Sequence, residues 1–163
     1  MIVLGIDPGL KNTGWGVIEQ RGSTLRCLAY GCVTTEPQRS LAERLSDIHE
    51  GITAVIARYT PDECACESVF FGANAKTAFA TGQARGVALL AASRLVVGEY
   101  GPGEIKMSVV GAGDADKEQV QFMVRAILGL KDVPQPDHAA DALAAAICHA
   151  NTRPVRAAEE QAR

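Results

Sequence analysis

A mixed α/β sheet covered by helices is the fold class this chain predicts, and two observations predict it. Three strand-like runs follow one another as a meander up to residue 35, and helix and strand patterns alternate after it. The first run, Ile2-Val3-Leu4-Gly5-Ile6, is continuously apolar and ends on Asp7 at the Pro8-Gly9 break. Trp15, Val17 and Glu19, alternating with Gly16 and Ile18, form the second, and residues 24–35 the third. Pro37 closes the meander. From Ser40 the period changes: Leu41, Leu45, Ile48, Ile52, Val55, Ile56 and Tyr59 make one apolar helix face, and Ser40 with Glu43 reads as a capping box.

Thr60-Pro61 stops that helix, and a short strand, Glu63 to Glu67, follows. An apolar loop, residues 68–74, leads to a helix over about 76–94 whose small residues permit close approach by another helix or subunit. Val96-Val97 marks the fifth strand. The glycine-rich stretch 101–113 reads as a flexible connector carrying Lys106. Asp116 and Gln119 read as a second capping box, opening a helix that turns Val120, Met123, Val124, Ile127 and Leu128 inward. After Pro134 and Pro136, Asp137 is placed to cap a final helix running to about His149. The expected layout is one domain over residues 1–150 and a disordered tail over 151–163.

With 163 residues, a domain of this size buries roughly 70% of its unfolded surface. At 47% hydrophobic and 21% charged residues, the composition is that of an ordinary soluble protein. No apolar stretch approaches the roughly 20 residues that span a bilayer, so a cytoplasmic location with no membrane partner is expected. The five cysteines have no zinc spacing and read as buried thiols. A net charge of −3 argues against a generic DNA coat, although a nuclease site needs acids to hold its cations.

Asp7 carries the main functional lead. A carboxylate closing a buried strand is costly to desolvate unless it is paired or binds metal. Glu67 closes another apolar run, while His138 and Asp141 lie three apart at the start of the last helix and so share a face. Hard oxygen donors suit magnesium or manganese. Two such ions can activate a water and stabilise a leaving oxygen in phosphodiester hydrolysis. Imidazole at 138 tilts the set toward manganese and adds a group that can move a proton.

The segments GIDPGLKNTGWGVIE, CESVFF, GQARGVALLAA, KMSVVGAGDADKEQVQFMV and DHAADALAAAICH resemble the RuvC family of Holliday-junction resolvases, in order and at matching spacing from Ile2 to about His149. The resemblance implies a ribonuclease-H-like fold with a five-stranded mixed sheet flanked by helices. It also implies a homodimer that cuts two symmetric strands of four-way junction DNA in recombination and repair, using two divalent ions per site and leaving 5′-phosphate ends. Asp7, Glu67 and Asp141 match the family's catalytic acids, and His138 matches a position that is acidic in some members and histidine in others. Phe70 matches an aromatic that stacks on an unpaired base, and Lys106 and Lys117 match lysines near the DNA and the scissile phosphate. Arg85 is placed as a DNA-backbone contact or a dimer group. A branch-migration helicase complex is a further partner the resemblance raises and the sequence leaves open.

Three rivals remain. Another ribonuclease-H-like processing nuclease would share the acids; the FF loop and both lysines favour RuvC. An actin-like ATPase or sugar kinase also opens on an Asp-x-Gly turn, but needs two lobes where this length supplies one. A junction-binding protein with a dead site would have no need of Asp7, Glu67 and Asp141.

Overall fold

The computed structural model describes residues 1–68 and 75–161. Its sheet has five strands: β1 (Ile2–Asp7), β2 (Asn12–Arg21), β3 (Thr24–Thr34), β4 (Glu63–Glu67) and β5 (Val96–Tyr100). Their order is β3-β2-β1-β4-β5. The meander β1-β2-β3 is antiparallel, and β4 and β5 add in parallel on the other side of β1. Five helices flank it: α1 (Leu41–Tyr59), α2 (Ala75–Ala91), α3 (Pro102–Val110), α4 (Lys117–Ile127) and α5 (Asp137–Gln161).

Strand alternation divides the apolar residues between two faces. On one face Leu4, Ile6, Val17, Cys64 and Cys66 pack against Ile48, Ile52 and Val55 of α1 and Ala84, Ala88 and Ala92 at α2. The small side chains predicted in the second helix therefore let α1 approach closely. On the other face Val3, Ile18 and Ala65 meet α3, α4 and the alanine-rich stretch of α5. Burial holds both strand thiols protonated, Cys66 being pushed up to about 12, so they serve as core residues. Both predicted capping boxes form, Ser40 with Glu43 and Asp116 with Gln119.

Three sequence expectations are corrected. The connector after Gly101 contains α3. Pro102 sits at the start of this helix, the Glu104 carboxylate accepts from Gly101 N at 2.8 Å, and Ile105 and Val109 bury one side. Asp137 is the first residue of α5 rather than its cap, and its carboxylate takes Lys117 and Gln121 instead. The segment after Asn151, expected to be disordered, continues α5 to Gln161, which its Ala, Glu, Gln and Arg content favours. No helix among the described residues is long and apolar enough to cross a membrane.

Candidate active site

Parity and register place the acids. Val3, Gly5 and Asp7 alternate with Leu4 and Ile6, so Asp7 shares the face covered by α5. In β4, Ala65 faces α5 and Cys66 does not, which turns Glu67 to the same side as Asp7. Ile6 sits beside Cys66 in the parallel pair, so both strands end next on an acid. Thr13, fully buried, fastens the turn after Asp7 by donating to Gly9 O at 2.7 Å.

Helix α5 reaches these acids because the sheet presents glycines where its backbone comes closest. A Cβ on Gly5 would lie 1.9 Å from Ala142 O, and one on Gly14 would lie 1.9 Å from His138 O. Gly14 is also the cross-strand partner of Asp7. Backbone contact therefore lowers the first turn of α5 onto the end of β1. His138 Nδ1 comes to 2.7 Å from Asp7 Oδ2, and ligand atoms of Asp7, His138 and Asp141 lie within 4.8 Å of one another. Glu67 lies close enough for the charges of Asp7 and Asp141 to act on it.

Crowding like charges in a half-buried place has the expected effect. Burial, followed by the Asp7 and Asp141 charges, pushes the Glu67 carboxyl up to about 7. Burial and Asp7 raise Asp141 as well, opposed by Lys117. The hydrogen bond to Asp7 raises His138 against its partial burial. Three carboxyls that repel one another, with an imidazole beside them, are a donor set for a hard divalent cation, which relieves the repulsion; the residues present fit one.

The acids open into a cleft of about 200 Å³ lined by Glu67, Asp141, Lys106, Lys117 and apolar side chains of α3, α4 and α5. Lys117 Nζ bridges Asp137 at 3.1 Å and Asp141 at 3.4 Å. Lys106, on α3, acts on Glu67 from across the cleft. Both predicted lysines thus come together with the acids. Arg85 does not: it stands on α2, pairs with Glu99, and its buried Nε has no hydrogen-bond partner among the described residues. Phe70 lies outside the described residues. Sequence reasoning missed Asp137 as the second anchor of Lys117, although it lies four residues before Asp141, on the same face of the helix. It also missed a buried group around Glu63, an acid opening an apolar strand much as Asp7 closes one.

A cluster of acids at neighbouring strand ends, capped by a helix that adds a histidine and an acid, defines a ribonuclease-H-like metal-dependent nuclease. Residues 3–149 match the family described as Crossover junction endodeoxyribonuclease RuvC. The protein of that name from Desulforamulus reducens is 51% identical over 152 residues, covering 92% of this chain and 93% of that protein. Its counterpart from Chloroflexus aggregans is 52% identical over 156 residues, covering 94% and 95%. A solved structure of Thermus thermophilus RuvC in complex with Holliday junction substrate superposes with a TM-score of 0.90 at 41% identity, covering 96% of each chain. This chain belongs to the RuvC family.

Proposed function

We propose that this chain resolves four-way DNA junctions, hydrolysing one phosphodiester in each of two symmetric strands during recombination and repair. The observation that carries the reading is the meeting of Asp7, His138 and Asp141 next to Glu67, at the edge of a cleft that Glu67, Asp141 and two lysines line. Asp7, Glu67, Asp141 and His138 would hold two magnesium or manganese ions. When bound, these supply a water nucleophile at neutral pH and stabilise charge on the leaving oxygen. Lys117, already balanced between Asp137 and Asp141, exchanges one acid for a DNA phosphate, and Lys106 neutralises phosphate charge along the α3 wall.

Two symmetric cuts call for two sites, hence a two-fold dimer. Phe79 and Leu90 of α2, 68% and 63% exposed, supply apolar surface for it beyond the small residues that α1 covers. Family resemblance supports a role for Phe70 as a base-stacking aromatic. Phe70→Ala should slow junction cleavage about 10-fold or more, since stacking is worth ~1–3 kcal/mol per base, while sedimentation still shows a dimer. A dimer that dissociates instead makes Phe70 a core residue.

The histidine donor should make manganese the better cofactor at matched, subsaturating concentrations. Equal or faster cleavage with magnesium across the series counts against that preference. The whole reading is tested by comparing a synthetic four-way junction with linear duplex: paired nicks confined to the junction support it, and equal cutting of duplex points to a less selective nuclease.

A further inference from the structure

Eight residues beyond Asp141 on α5, His149 is buried in a polar group that the cleft does not include. Its Nε2 lies 2.7 Å from Glu63 Oε2 and its Nδ1 lies 2.9 Å from the Tyr100 hydroxyl. Arg153 Nε reaches both Glu63 oxygens, at 2.5 and 2.6 Å. Tyr100, His149 and Glu63 are 1%, 2% and 6% exposed. The carboxylate fixes the proton on Nε2, so in the neutral ring the tyrosine hydroxyl donates to Nδ1. Together Arg153 and His149 outweigh the burial of Glu63 and hold its carboxyl below the usual range.

The placement of this group matters more than its strength. Asp141 to His149 spans about 12 Å of helix, and Glu67 back to Glu63 spans about 13 Å of strand. These two equal rods lie against each other, with Asp141 and Glu67 at the cleft end and the His149–Glu63 pair at the far end. Tyr100 is the diagonal. Its backbone pairs with Glu67, its carbonyl accepts from Ser68 N at 2.8 Å, and its hydroxyl reaches His149. The sheet leaves room for that diagonal, because a Cβ on Gly98 would lie 2.6 Å from His149 Nδ1 and 2.8 Å from the Tyr100 oxygen.

We infer that Tyr100 and His149 are positioning residues, a buried brace that sets the separation of Glu67 on β4 from Asp141 on α5. This rests on the reading that those two acids hold metal. Neither brace residue is among those that line the cleft, so each would act through the strand or helix that bears it.

Tyr100→Phe removes one hydroxyl and keeps the ring. In the full chain, the calorimetric dissociation constant for Mn²⁺ should rise about 10-fold, in keeping with the loss of a supporting partner behind a metal ligand. Metal-free junction affinity should stay within about twofold, and saturating Mn²⁺ should restore the cleavage rate to within about twofold of wild type. A fall in melting temperature with an unchanged Mn²⁺ dissociation constant overturns the inference, because a merely structural role behaves that way. Should Tyr100→Phe not fold, wild type decides. In ¹⁵N-histidine-labelled protein titrated with Mg²⁺, the His149 ring signals should move with the same midpoint as those of His138, since coupling is reciprocal. A stationary His149 overturns the brace. Glu67→Gln separates the two readings: if it binds Mn²⁺ like wild type, the metal assignment fails, and if it does not while Tyr100→Phe binds normally, only the brace fails.

Discussion

Asp7→Asn should abolish cleavage, lowering the rate at saturating metal by about 10³-fold or more, and should leave junction binding within about threefold. The reason is what asparagine keeps and what it loses. It keeps the size of the side chain and an oxygen that can accept from His138, so the turn and the first contact of α5 persist. It loses the charge that the neighbouring acids and the imidazole are arranged around, and with it a ligand whose cation supplies several kcal/mol of transition-state stabilisation. Binding should survive because in the proposed complex the DNA is held by cations such as Lys106 and Lys117, and one fewer negative charge near them would not weaken that hold. Single-turnover cleavage and gel-shift affinity on one synthetic junction test both halves. Residual cutting within about 10-fold of wild type removes Asp7 from the catalytic set.

Asp7 was legible in the sequence because its setting is local: an apolar run, then an acid, then Pro-Gly. Glu67 repeats the first part of that pattern, an acid closing an apolar run, and helical spacing alone puts His138 and Asp141 on one face. Glu63 bears a similar signature, yet its answer lies in His149 and Arg153, 86 and 90 residues away, which no window of sequence contains. The α3 helix was hidden for a different reason. Gly101-Pro102-Gly103 looks like a turn, and only the burial of Ile105 and Val109 against α5 turns that start into a helix. The two glycines that admit α5, Gly5 and Gly14, read as strand weakeners until the helix backbone is seen lying on them. Arg85, which the sequence leaves open between a DNA-backbone contact and a dimer group, pairs with Glu99 on the adjoining strand, a partner that lies 14 residues away.

The raised Glu67 makes a second large expectation, in which stability and activity move apart. Its carboxyl titrates at about 7 in the folded chain against 4.5 for the ordinary group, so the folded state binds the proton more tightly than the unfolded one. Metal-free protein must then lose stability as pH rises from about 4.5 to about 7, by up to about 3 kcal/mol, and stay less stable above. Glutamine has the shape of the neutral form and never ionises. Glu67→Gln should therefore melt about 5–10 °C above wild type at pH 8 in chelator, and level with it at pH 5. Metal reverses the order. Mn²⁺ binding needs the ionised carboxylate, so it should stabilise wild type more at pH 8 than at pH 5.5, and the variant little at either. Cleavage by Glu67→Gln should fall about 10³-fold, for the same reason as Asp7→Asn. Wild-type cleavage at subsaturating metal should climb with pH through about 7 as the proton leaves. Melting curves at the two pH values, with chelator and with Mn²⁺, are decisive: a variant less stable than wild type at pH 8 in chelator would mean that Glu67 is held by favourable contacts, not by the repulsion that a cation relieves.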